Sequence, residues 1–501
     1  MVYAGLDVGT SGCKLTAYDL DGNEIFSAAR RYTETGSDGR RELDPAVVLK
    51  NVKETLKDAG KNCPRPIRAL SVASIGETIV CLDSEDRPLM NAMLTGDCRG
   101  IPQTKRLIEE KGAQAIFEVT GLPPNELYSL PKWMWISEET DVLSHTEKML
   151  FFEDLVGYIL TGKRMVSYFS AARSLCFDIG KKAWDQDLLD MAGISADMLS
   201  EPVPPFTVIG TVLPEVAEEL CLPADMKVVA GGHDQSCAAF GSGLSGMETG
   251  ECGMGTCEFM FIMLPEPKMT PYMLQNDFTC IPYVLPDTYL SSLEITTCGI
   301  LKNWARDTIF ADIRSECERE GKNFFVVMDG RAAGIETEVM LLPQFGSSGN
   351  PDLSMDARGT ITGLSIHTKP EDIYRAILEG MALQNYLAYE RLKPLGIRMK
   401  TITATGGGAA SDLALQIRAD VFNMKVLTLQ NDESGTLGCM MMAAVADGAY
   451  ASVEEAFSRA VKTGREFVPD PAMHEKYMRK YEKYKKLYEM MHGFYPAGDH
   501  E

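Results

Sequence analysis

The chain opens with a pattern that predicts a β-hairpin leading into a mixed sheet. Val2 to Val8 reads as a buried strand, Gly9 to Gly12 as a tight turn, and Lys14 to Asp19 as an antiparallel return. Glu24 to Tyr32 offers a third strand. Because long α/β segments follow this hairpin, the pattern favours a sheet of mixed strand direction over an all-parallel one.

A similar pattern lies about halfway along the chain and predicts two related halves. Glu251 to Thr256, followed by the apolar segment Phe259 to Leu264, reads as a second strand, turn and strand. The length of 501 residues also exceeds the ~250 to 300 at which single domains stop growing. The glycine-rich segment Phe240 to Gly246 separates the halves and predicts a hinge. We therefore expect domains at residues 1–243 and 244–501.

Two helices in the second half carry recognisable patterns. Thr368 and Glu371 have capping-box spacing, and Pro370 lies in the opening turn of the helix that they predict. Near the end of the chain, four tyrosines recur at helical spacing on a charged segment. This face is expected to dock against the body of the protein, and it consists of Tyr477, Tyr481, Tyr484 and Tyr488.

Composition excludes several classes of partner. The 49 Lys and Arg against 71 Asp and Glu leave a formal net charge of −22, which would repel nucleic acid and anionic lipid surfaces. No apolar run approaches the ~18 residues of a membrane span. The 13 cysteines form no C-x-x-C pair, which favours reduced thiols in a cytoplasmic protein. A nucleotide remains compatible with the acidic chain, because local backbone donors and a metal ion can override the global field.

The segment Asp7 to Gly12 is a candidate phosphate-binding turn. Its glycines let a phosphate approach the backbone, and its amides and small hydroxyls supply donors. Asp7, at the strand end, could hold Mg²⁺ through water, since hard cations prefer oxygen ligands. An ordinary hairpin turn explains the same residues. A Walker A sequence is absent, and Gly241 to Gly246 fits G-x-G-x-x-G without the preceding strand that a dinucleotide fingerprint needs.

Two further segments carry candidate chemistry. Gly406 to Gly408 lies between the apolar strand Ile402 to Thr405 and a predicted helix from Ser411 to Phe422, so a base or ribose could lie against it. A tight strand-to-helix turn explains these glycines nearly as well. Asp234 precedes another predicted helix, and a carboxylate in a first helical turn tends to stay ionised, as a general base requires. A simple helix cap is the alternative for Asp234, and His233 beside it is interpreted as structural.

In order and spacing, these segments resemble the FGGY family of carbohydrate kinases, and within it the xylulose kinase-like members. The likeness spans nearly the whole chain, through segments that include Gly5 to Ser11, Asp97 to Arg99, Leu160 to Gly162, Ala171 to Arg173, Phe177 to Ile179, Gly231 to Gln235, Glu379 to Gly380 and Glu433 to Gly438. The resemblance implies an α/β fold of two actin-like ATPase (ribonuclease H-like) domains with a cleft between them.

The resemblance also implies roles for residues on both sides of that cleft. Asp234 would be the catalytic base, and Asp7 and Asp234 would position Mg²⁺. The residues expected to bind ATP are Thr10, Ser11, Lys14, Gly255, Thr256, Gly299, Gly407, Gly408 and Ser411. The residues expected to bind the sugar are Glu77, Asp97, Arg99, Asp234 and Gln235.

Four segments depart from the usual pattern of the family. Ile75 to Glu77 stands where xylulose-type kinases carry Gln-Met-His, and Gly76 to Thr78 is closer to the Arg-Glu-Thr of glycerol kinases. Gly346 to Pro351 replaces the usual Gly-Glu-Arg-Thr-Pro segment. Ser167 stands where an aspartate is expected, and Ala410 where lysine or arginine is common. These changes bear on the identity of the sugar, while the base and the phosphate turns are kept.

The resemblance implies an ATP- and magnesium-dependent kinase that phosphorylates a primary hydroxyl of a small sugar. A ketopentose such as D-xylulose is the expected substrate, with glycerol, another polyol or a sugar acid as alternatives within the family. A non-catalytic nucleotide-binding protein of the same fold is the alternative outside the kinases. The sequence does not fix the number of subunits, and a homodimer is one compatible arrangement.

Overall fold

Two mixed β-sheets organise the protein, one formed from each half of the chain. The computed structural model describes residues 1–264, 266–354, 357–431 and 433–495. Residues 496–501, the end of the second predicted domain, lie outside these ranges. Across the described ranges, none of the helices combines the length and the apolar character that crossing a membrane requires.

The elements of the first half alternate between strands and helices. The strands are β1 (Val2–Val8), β2 (Gly12–Tyr18), β3 (Glu24–Arg31), β4 (Glu42–Leu43), β5 (Ile67–Ser74), β6 (Ile79–Leu82), β7 (Ala92–Met93), β8 (Lys148–Phe151), β9 (Met165–Ser167), β10 (Phe177–Asp178), β11 (Ala183–Trp184), β12 (Glu201–Val203), β13 (Val208–Thr211) and β14 (Lys227–His233). The helices are α1 (Pro45–Asn62), α2 (Ile101–Lys111), α3 (Ala113–Thr120), α4 (Ser129–Glu139), α5 (Val142–His145), α6 (Phe152–Thr161), α7 (Tyr168–Ala172), α8 (Gln186–Leu189), α9 (Pro214–Leu220) and α10 (Asp234–Gly241).

The second half starts again with strands. They are β15 (Thr249–Met254), β16 (Glu258–Leu264), β17 (Ile281–Pro282), β18 (Tyr289–Ile295), β19 (Met340–Leu342), β20 (Thr360–Thr362), β21 (Thr401–Thr405), β22 (Lys425–Leu429) and β23 (Thr463–Phe467). The helices are α11 (Pro271–Gln275), α12 (Gly299–Asp307), α13 (Ala311–Glu320), α14 (Phe324–Ala332), α15 (Pro370–Leu392), α16 (Asp412–Phe422), α17 (Ser434–Ala446), α18 (Val453–Ala460) and α19 (Pro471–Phe494).

The first sheet has the strand order β13-β14-β5-β1-β2-β3. Strands β1, β2 and β3 form an antiparallel meander, whereas β5 runs parallel to both β1 and β14. Every residue of β1 except Asp7 is buried, which is typical of a central strand that is covered on both faces. The opening hairpin and the mixed sheet predicted from the sequence are therefore confirmed.

The second sheet repeats this arrangement. Strands β15, β16 and β18 form an antiparallel meander, and β21 and β22 run parallel to β15. The series β18-β16-β15-β21-β22 thus has the same order and directions as β3-β2-β1-β5-β14. The predicted relation between the two halves is confirmed, and with it the α/β fold of two ribonuclease H-like domains.

Helices α10 and α17 cross at a very short distance, and glycines make this approach possible. A Cβ atom on Gly241 would lie 1.8 Å from a carbonyl oxygen of α17, and one on Gly438 would lie 2.1 Å from a carbonyl oxygen of α10. A Cβ atom on Gly5 would lie 2.1 Å from the carbonyl oxygen of Thr436. A helix from the second half therefore packs directly on β1 of the first sheet. The domain boundary at 243/244 and the hinge beside it stay predictions.

Helix α15 is capped one residue later than the sequence pattern indicates. The main-chain N–H of Lys369 donates to the Asp372 carboxylate at 2.9 Å. Thr368 and Glu371 therefore do not form the predicted capping box, because the first helical turn begins at Pro370 and places Asp372 where it can reach back to the cap. The helix ends at Leu392.

The tyrosine face of α19 docks against the second domain, as predicted. All four rings are buried, so the charged residues of this helix are left on its outer side. Each hydroxyl also makes a hydrogen bond to a polar side chain of the domain, which satisfies it inside the interface. The pairs are Tyr477 with Glu379 at 3.1 Å, Tyr481 with Glu390 at 2.7 Å, Tyr484 with Gln384 at 2.8 Å and Tyr488 with Asp352 at 2.8 Å.

Candidate active site

The register of the first sheet brings Asp7 and Asp234 to the same end of that sheet. Asp7 of β1 and Gly232 of β14 both lie opposite Ala73 of β5, and Asp234 follows at the start of α10. Neighbouring strands are about 4.8 Å apart, so β1 and β14, on either side of β5, are separated by roughly 10 Å. The two carboxylates therefore come from the carboxyl ends of parallel strands and open onto one region.

Burial raises the pKa of both carboxyl groups. For Asp234, the neighbouring His233 opposes this rise in pKa and the charge of Asp7 adds to it. For Asp7, the charge of Glu433 adds to the effect of burial and Lys14 opposes it. Two buried acids whose pKa values are both raised are costly to ionise together, which is a common feature of sites that hold a cation or move a proton.

The oxygens at this position suit Mg²⁺. The Oδ1 atom of Asp7 is buried, and it has no hydrogen-bond partner among the described residues. Magnesium is usually held by one or two carboxylates together with substrate phosphates and water. No cluster of three or more His, Cys, Asp or Glu side chains in the described ranges could hold a metal. Asp7 and Asp234 therefore fit a magnesium ion that arrives with a nucleotide, and they do not form a closed metal cage.

Hydrogen bonds hold the base of the turn between β1 and β2 and leave its tip exposed to solvent. The N–H of Gly9 donates to the carbonyl of Gly12 at 2.9 Å, and the Tyr32 hydroxyl donates to the carbonyls of both glycines at 2.7 and 3.0 Å. Thr10 and Ser11 are exposed at the tip, where their hydroxyls can reach a phosphate. Lys14, predicted to lie near the phosphates, forms an ion pair with Glu433 at 2.6 Å.

A cavity of about 490 Å³ brings together six of the residues predicted to bind ATP. These residues come from three separate turns and are Gly255, Thr256, Gly299, Gly407, Gly408 and Ser411. The sequence patterns missed the opposite wall of this cavity, to which α14 and its cap contribute Asn323, Phe325, Val326 and Asp329. These residues belong to no recognisable motif, so their place in the cavity wall could not be predicted from the sequence.

Close contacts between main chains hold the three turns in place. The N–H of Gly299 donates to the carbonyls of Gly255 and Thr256 at 3.1 and 2.9 Å. A Cβ atom on Gly299 would lie 2.6 Å from the Gly255 oxygen, so this position needs glycine. Ser411 caps α16 by accepting from the N–H of Ala414 at 3.1 Å. The N-termini of α12 and α16 therefore both open onto the cavity, with donors that suit an anionic nucleotide.

A buried ion pair links these turns from behind. The Nη2 atom of Arg418, on α16, lies 2.6 Å from Oε1 of Glu258, and both side chains are inaccessible to solvent. Glu258 begins the strand that follows Thr256. Glu258 also accepts a hydrogen bond at 3.5 Å from the thiol of Cys298, the residue directly before Gly299. The Glu258 carboxylate therefore connects α16, which follows the glycine turn, with the turns at Gly255 and Gly299.

Gln235 connects the first domain to the nucleotide cavity. It follows Asp234 in α10, and its Oε1 atom lies 3.6 Å from the position that a Cβ atom on Gly253 would occupy. Gly253 lies in β15, two residues before Gly255 of the cavity wall. Asp234 is therefore followed directly by Gln235, whose side chain lies beside β15, the strand that leads into the cavity. This contact places the two functional regions on either side of one cleft.

Glu77 is buried and held by several donors. It forms an ion pair with Arg173 and accepts from the Thr95 hydroxyl at 2.8 Å. Burial alone would raise the pKa of Glu77, but the charges of Arg173, His233 and Lys132 lower it to about 2. Arg173 lies within a segment of the family resemblance that implies no role for it, so its ion pair with Glu77 was not predicted. The ion pair leaves Glu77 ionised and able to accept a hydrogen bond from a hydroxyl group.

Asp97 and Arg99 chiefly satisfy each other. The guanidinium of Arg99 donates to the two carboxylate oxygens of Asp97 at 2.8 and 2.7 Å, and Asp97 also accepts from the main-chain N–H of Arg41 at 2.8 Å. Arg99 forms a second ion pair with Glu42 at 2.6 Å and lies over the ring of Trp135. This arrangement fixes the wall behind Glu77. A direct contact of either residue with a sugar stays a prediction.

A buried carboxylate supports β14, the strand that directly precedes Asp234. Glu153 accepts from the N–H of Gly231 at 3.0 Å and from the Ser167 hydroxyl at 2.8 Å. Burial raises the pKa of Glu153 to about 7, and the hydrogen bonds from Ser167 and Gly231 oppose that rise. Ser167, where the family pattern has an aspartate, thus supplies a donor to a second acid.

Comparison with known proteins gives a consistent result over the whole length. Residues 2–241 match the N-terminal domain, and residues 250–446 the C-terminal domain, of the FGGY family of carbohydrate kinases. The xylulose kinase of Staphylococcus epidermidis is 26% identical over 495 residues, which cover 97% of this chain and 96% of that protein.

Two solved structures from Lactobacillus acidophilus share the fold. A ligand-bound xylulose kinase and a gluconate kinase each superpose with a TM-score of 0.90 at 25% identity, and each comparison covers 99% of both chains. The two-domain α/β fold predicted from the sequence is thereby confirmed a second time. With both of its domains matched, the chain belongs to the FGGY family of carbohydrate kinases and is a sugar kinase.

Proposed function

We propose that the protein transfers the γ-phosphoryl group of ATP to a primary hydroxyl of a ketopentose such as D-xylulose, with Asp234 as the general base. The observation that carries this proposal is the placement of Asp234 and Asp7 at one end of the first sheet, with Gln235 touching the strand that leads to the glycine-lined cavity. In-line phosphoryl transfer needs chiefly alignment and charge neutralisation, which this arrangement can supply.

In the proposed reaction, Asp234 accepts the proton of the sugar hydroxyl as that oxygen attacks the γ-phosphorus. A new oxygen–phosphorus bond forms, the bond to the bridging oxygen of ADP breaks, and ADP leaves with the electron pair. Thr10, Ser11 and Lys14 would contact the phosphates from the first domain, and Gly255 and Thr256 from the second. The remaining nucleotide contacts would come from Gly299, Gly407, Gly408 and Ser411.

Magnesium and the sugar complete the proposed site. Mg²⁺ held by Asp7 and Asp234 would neutralise charge on the transferred phosphoryl group. Glu77, Asp97, Arg99 and Gln235 form the proposed sugar side. The cleft is proposed to close about the hinge at Gly241 to Gly246, between domains 1–243 and 244–501, so that water is excluded from the phosphate. The cytoplasmic location also stays a proposal from the sequence.

Other acceptors within the family are the main alternative. The gluconate kinase from Lactobacillus acidophilus has the same TM-score as the xylulose kinase, so the fold alone does not separate a sugar acid from a ketose. The segment Gly76 to Thr78 favours glycerol or another polyol by its likeness to glycerol kinases. The ketopentose stays the proposed substrate because curated relatives that match over 97% of the chain are xylulose kinases.

A screen of ADP release tests the proposal. Purified protein with ATP and Mg²⁺ is given ketopentoses, hexoses, polyols and aldonic acids in turn, and the phosphorylated product is identified. The proposal expects the highest kcat/KM with a ketopentose and phosphate on a primary hydroxyl. A higher kcat/KM with glycerol or an aldonic acid would replace the assigned substrate. ATP turnover that no sugar or polyol stimulates would overturn the function.

A further inference from the structure

A row of residues on the second sheet faces the sugar side of the cleft. Thr405, Gly253, Phe259 and Glu294 lie directly opposite one another on β21, β15, β16 and β18. Residues opposite one another on neighbouring strands point to the same face of a sheet. A Cβ atom on Gly253 would lie 3.6 Å from Oε1 of Gln235, so this face is turned toward α10. The Glu294 side chain therefore points to the side from which the proposed base approaches.

Glu294 is a polar residue in an otherwise buried strand. The other six residues of β18 are buried, whereas Glu294 is partly accessible. Among the described residues its carboxylate has no hydrogen-bond or ion-pair partner. The loop Gly346 to Pro351 covers its main chain, since a Cβ atom on Gly349 would lie 1.9 Å from the Glu294 carbonyl oxygen. That loop carries only uncharged side chains, so it supplies no cation to Glu294.

The charged groups facing Glu294 belong to the sugar side. Burial raises the pKa of Glu294 to about 7, the positive charge of Arg173 opposes this rise, and Glu77 and Asp277 add to it. Arg173 itself is already committed, because it pairs with Glu77 and lies over the ring of Tyr128 at 5.0 Å. The Glu294 side chain thus points to the face beside Gln235, and its pKa responds to the charges of Arg173 and Glu77.

The cations on this side of the cleft are already bound. Arg173 is paired with Glu77, and Arg99 with Asp97 and Glu42. The buried ammonium of Lys132 donates to a main-chain carbonyl at 2.8 Å. At about pH 8, above the pKa of about 7 of Glu294, a carboxylate on a substrate would therefore meet no uncommitted cation among these residues, and it would meet the charge of Glu294 instead. Like charges brought together in a desolvated cleft repel each other strongly.

We propose that Glu294 is a specificity-determining residue of the sugar site, which accepts hydrogen bonds from hydroxyl groups of an uncharged sugar or polyol and excludes sugar acids. This inference rests on the proposed kinase function and extends it to the charge of the substrate. The fold shared with a gluconate kinase implies that this selectivity comes from side chains rather than from the architecture. A buried carboxylate suits the task, because hydrogen bonds to charged groups are stronger than those between neutral partners.

The test compares Glu294→Gln with the wild type on neutral and acidic substrates. D-Xylulose, D-ribulose, D-fructose and glycerol are the neutral probes, and D-xylonate and D-gluconate are the acids. We expect the wild type to prefer its best neutral substrate over either acid by about 100-fold or more in kcat/KM. Glu294→Gln should raise the KM for that neutral substrate roughly 10-fold or more, reduce the preference over acids, and leave the KM for ATP unchanged.

Controls separate a local effect from a loss of folding. Glu338→Gln removes a carboxylate that pairs with Lys483 on the surface, and it should leave every KM unchanged. Glu294→Asp keeps the charge on a shorter side chain, so it should retain the discrimination against acids even if the KM for the sugar rises. An acid used as well as the best neutral substrate, or an unchanged sugar KM in Glu294→Gln, would overturn the inference.

The outcome is distinguishable from a failure of the proposed function. If Asp234→Asn abolishes sugar-dependent ADP release while Glu294→Gln behaves as the wild type on every probe, the kinase mechanism stands and the role of Glu294 is wrong. If no probe stimulates ADP release in the wild type, the proposed function itself is wrong and the inference is rejected with it.

Discussion

The Nε2 atom of His233 lies 3.1 Å from Oδ1 of Asp234. Burial lowers the pKa of His233 and raises that of Asp234. Near neutral pH, a neutral imidazole therefore lies beside an ionised carboxylate. The opposite ring nitrogen, Nδ1, is buried and has no partner among the described residues. His233 therefore lies directly beside the proposed base and lowers the pKa of that carboxyl group.

We expect sugar-dependent turnover to decline on the acid side at a higher pH than an ordinary aspartate would produce. Protonated Asp234 cannot accept a proton, and its raised pKa means that protonation begins above the ~3.9 of an exposed aspartate. Because His233 lowers the pKa of Asp234, His233→Leu should move the acid limb to higher pH. His233→Gln keeps an N–H donor and should move it less. An acid limb of kcat/KM that does not shift in His233→Leu would contradict this account.

The same burial predicts that Asp234→Asn stabilises the folded protein. A carboxyl group whose pKa is raised by folding contributes stability below its ordinary pKa, and this contribution is lost as the pH rises through the folded-state pKa. At about pH 8 the ionised Asp234 is therefore destabilising. Since one pKa unit corresponds to ~1.4 kcal/mol and burial raises the pKa of Asp234 to about 6, urea unfolding should show a gain of up to about 3 kcal/mol for the variant. At about pH 4, where Asp234 is largely protonated, the gain should be smaller. Equal gains at both pH values would exclude titration as the cause.

The buried pair of Arg418 and Glu258 should affect both stability and ATP binding. Arg418→Met leaves Glu258 as an uncompensated buried charge, which typically costs about 3 to 5 kcal/mol. The double variant with Glu258→Gln removes both charges and should recover much of that loss. Because the pair links the turns around the cavity, we expect the double variant to keep a raised KM for ATP while the KM for the sugar is unchanged. Unfolding in urea and initial rates measure the two effects, and a normal KM for ATP would limit the pair to a structural role.

Two glycines of α17 offer a matched test of the helix crossing. A Cβ atom on Gly438 would lie 2.1 Å from a main-chain oxygen of α10, whereas one on Gly435 would have no neighbour within 4 Å. Gly438→Ala should therefore destabilise the protein by about 3 kcal/mol or more. Gly435→Ala should stabilise it by up to about 1 kcal/mol, because alanine favours the helix. Similar unfolding midpoints for the two variants would show that the crossing is less constrained than the structure indicates.

The sequence predicted what is encoded locally. Short-range patterns predict the hairpin at Val2 to Asp19, its counterpart at Glu251 to Leu264 and the glycine turn at Gly406, and these elements are confirmed. Six residues from separate turns were also predicted to meet at a nucleotide site, and they line one cavity. Their assembly follows from the duplicated topology, since strands in equivalent positions carry their loops to the same end of each sheet.

The sequence did not predict contacts between distant segments. Glu77 and Arg173 are 96 positions apart, and Arg418 and Glu258 join a helix to a strand in a different part of the domain. Such pairs depend on tertiary packing and leave no periodic signal. The cap of α15 shifted from Thr368 to Lys369 because a second acid, Asp372, was within reach. Lys14 was expected near the phosphates alone, and its ion pair with Glu433 required the docking of α17 on the first sheet.

The central claim is that Asp234 accepts the proton of the sugar hydroxyl, and Asp234→Asn tests it most directly. Sugar-dependent ADP release and calorimetric binding of ATP are measured for the variant beside the wild type. General-base catalysis is typically worth about 100-fold or more, so we expect the variant to lose at least that much turnover while its Kd for ATP changes by less than about 3-fold. Turnover within about 10-fold of the wild type, with ATP bound normally, would contradict the proposed mechanism.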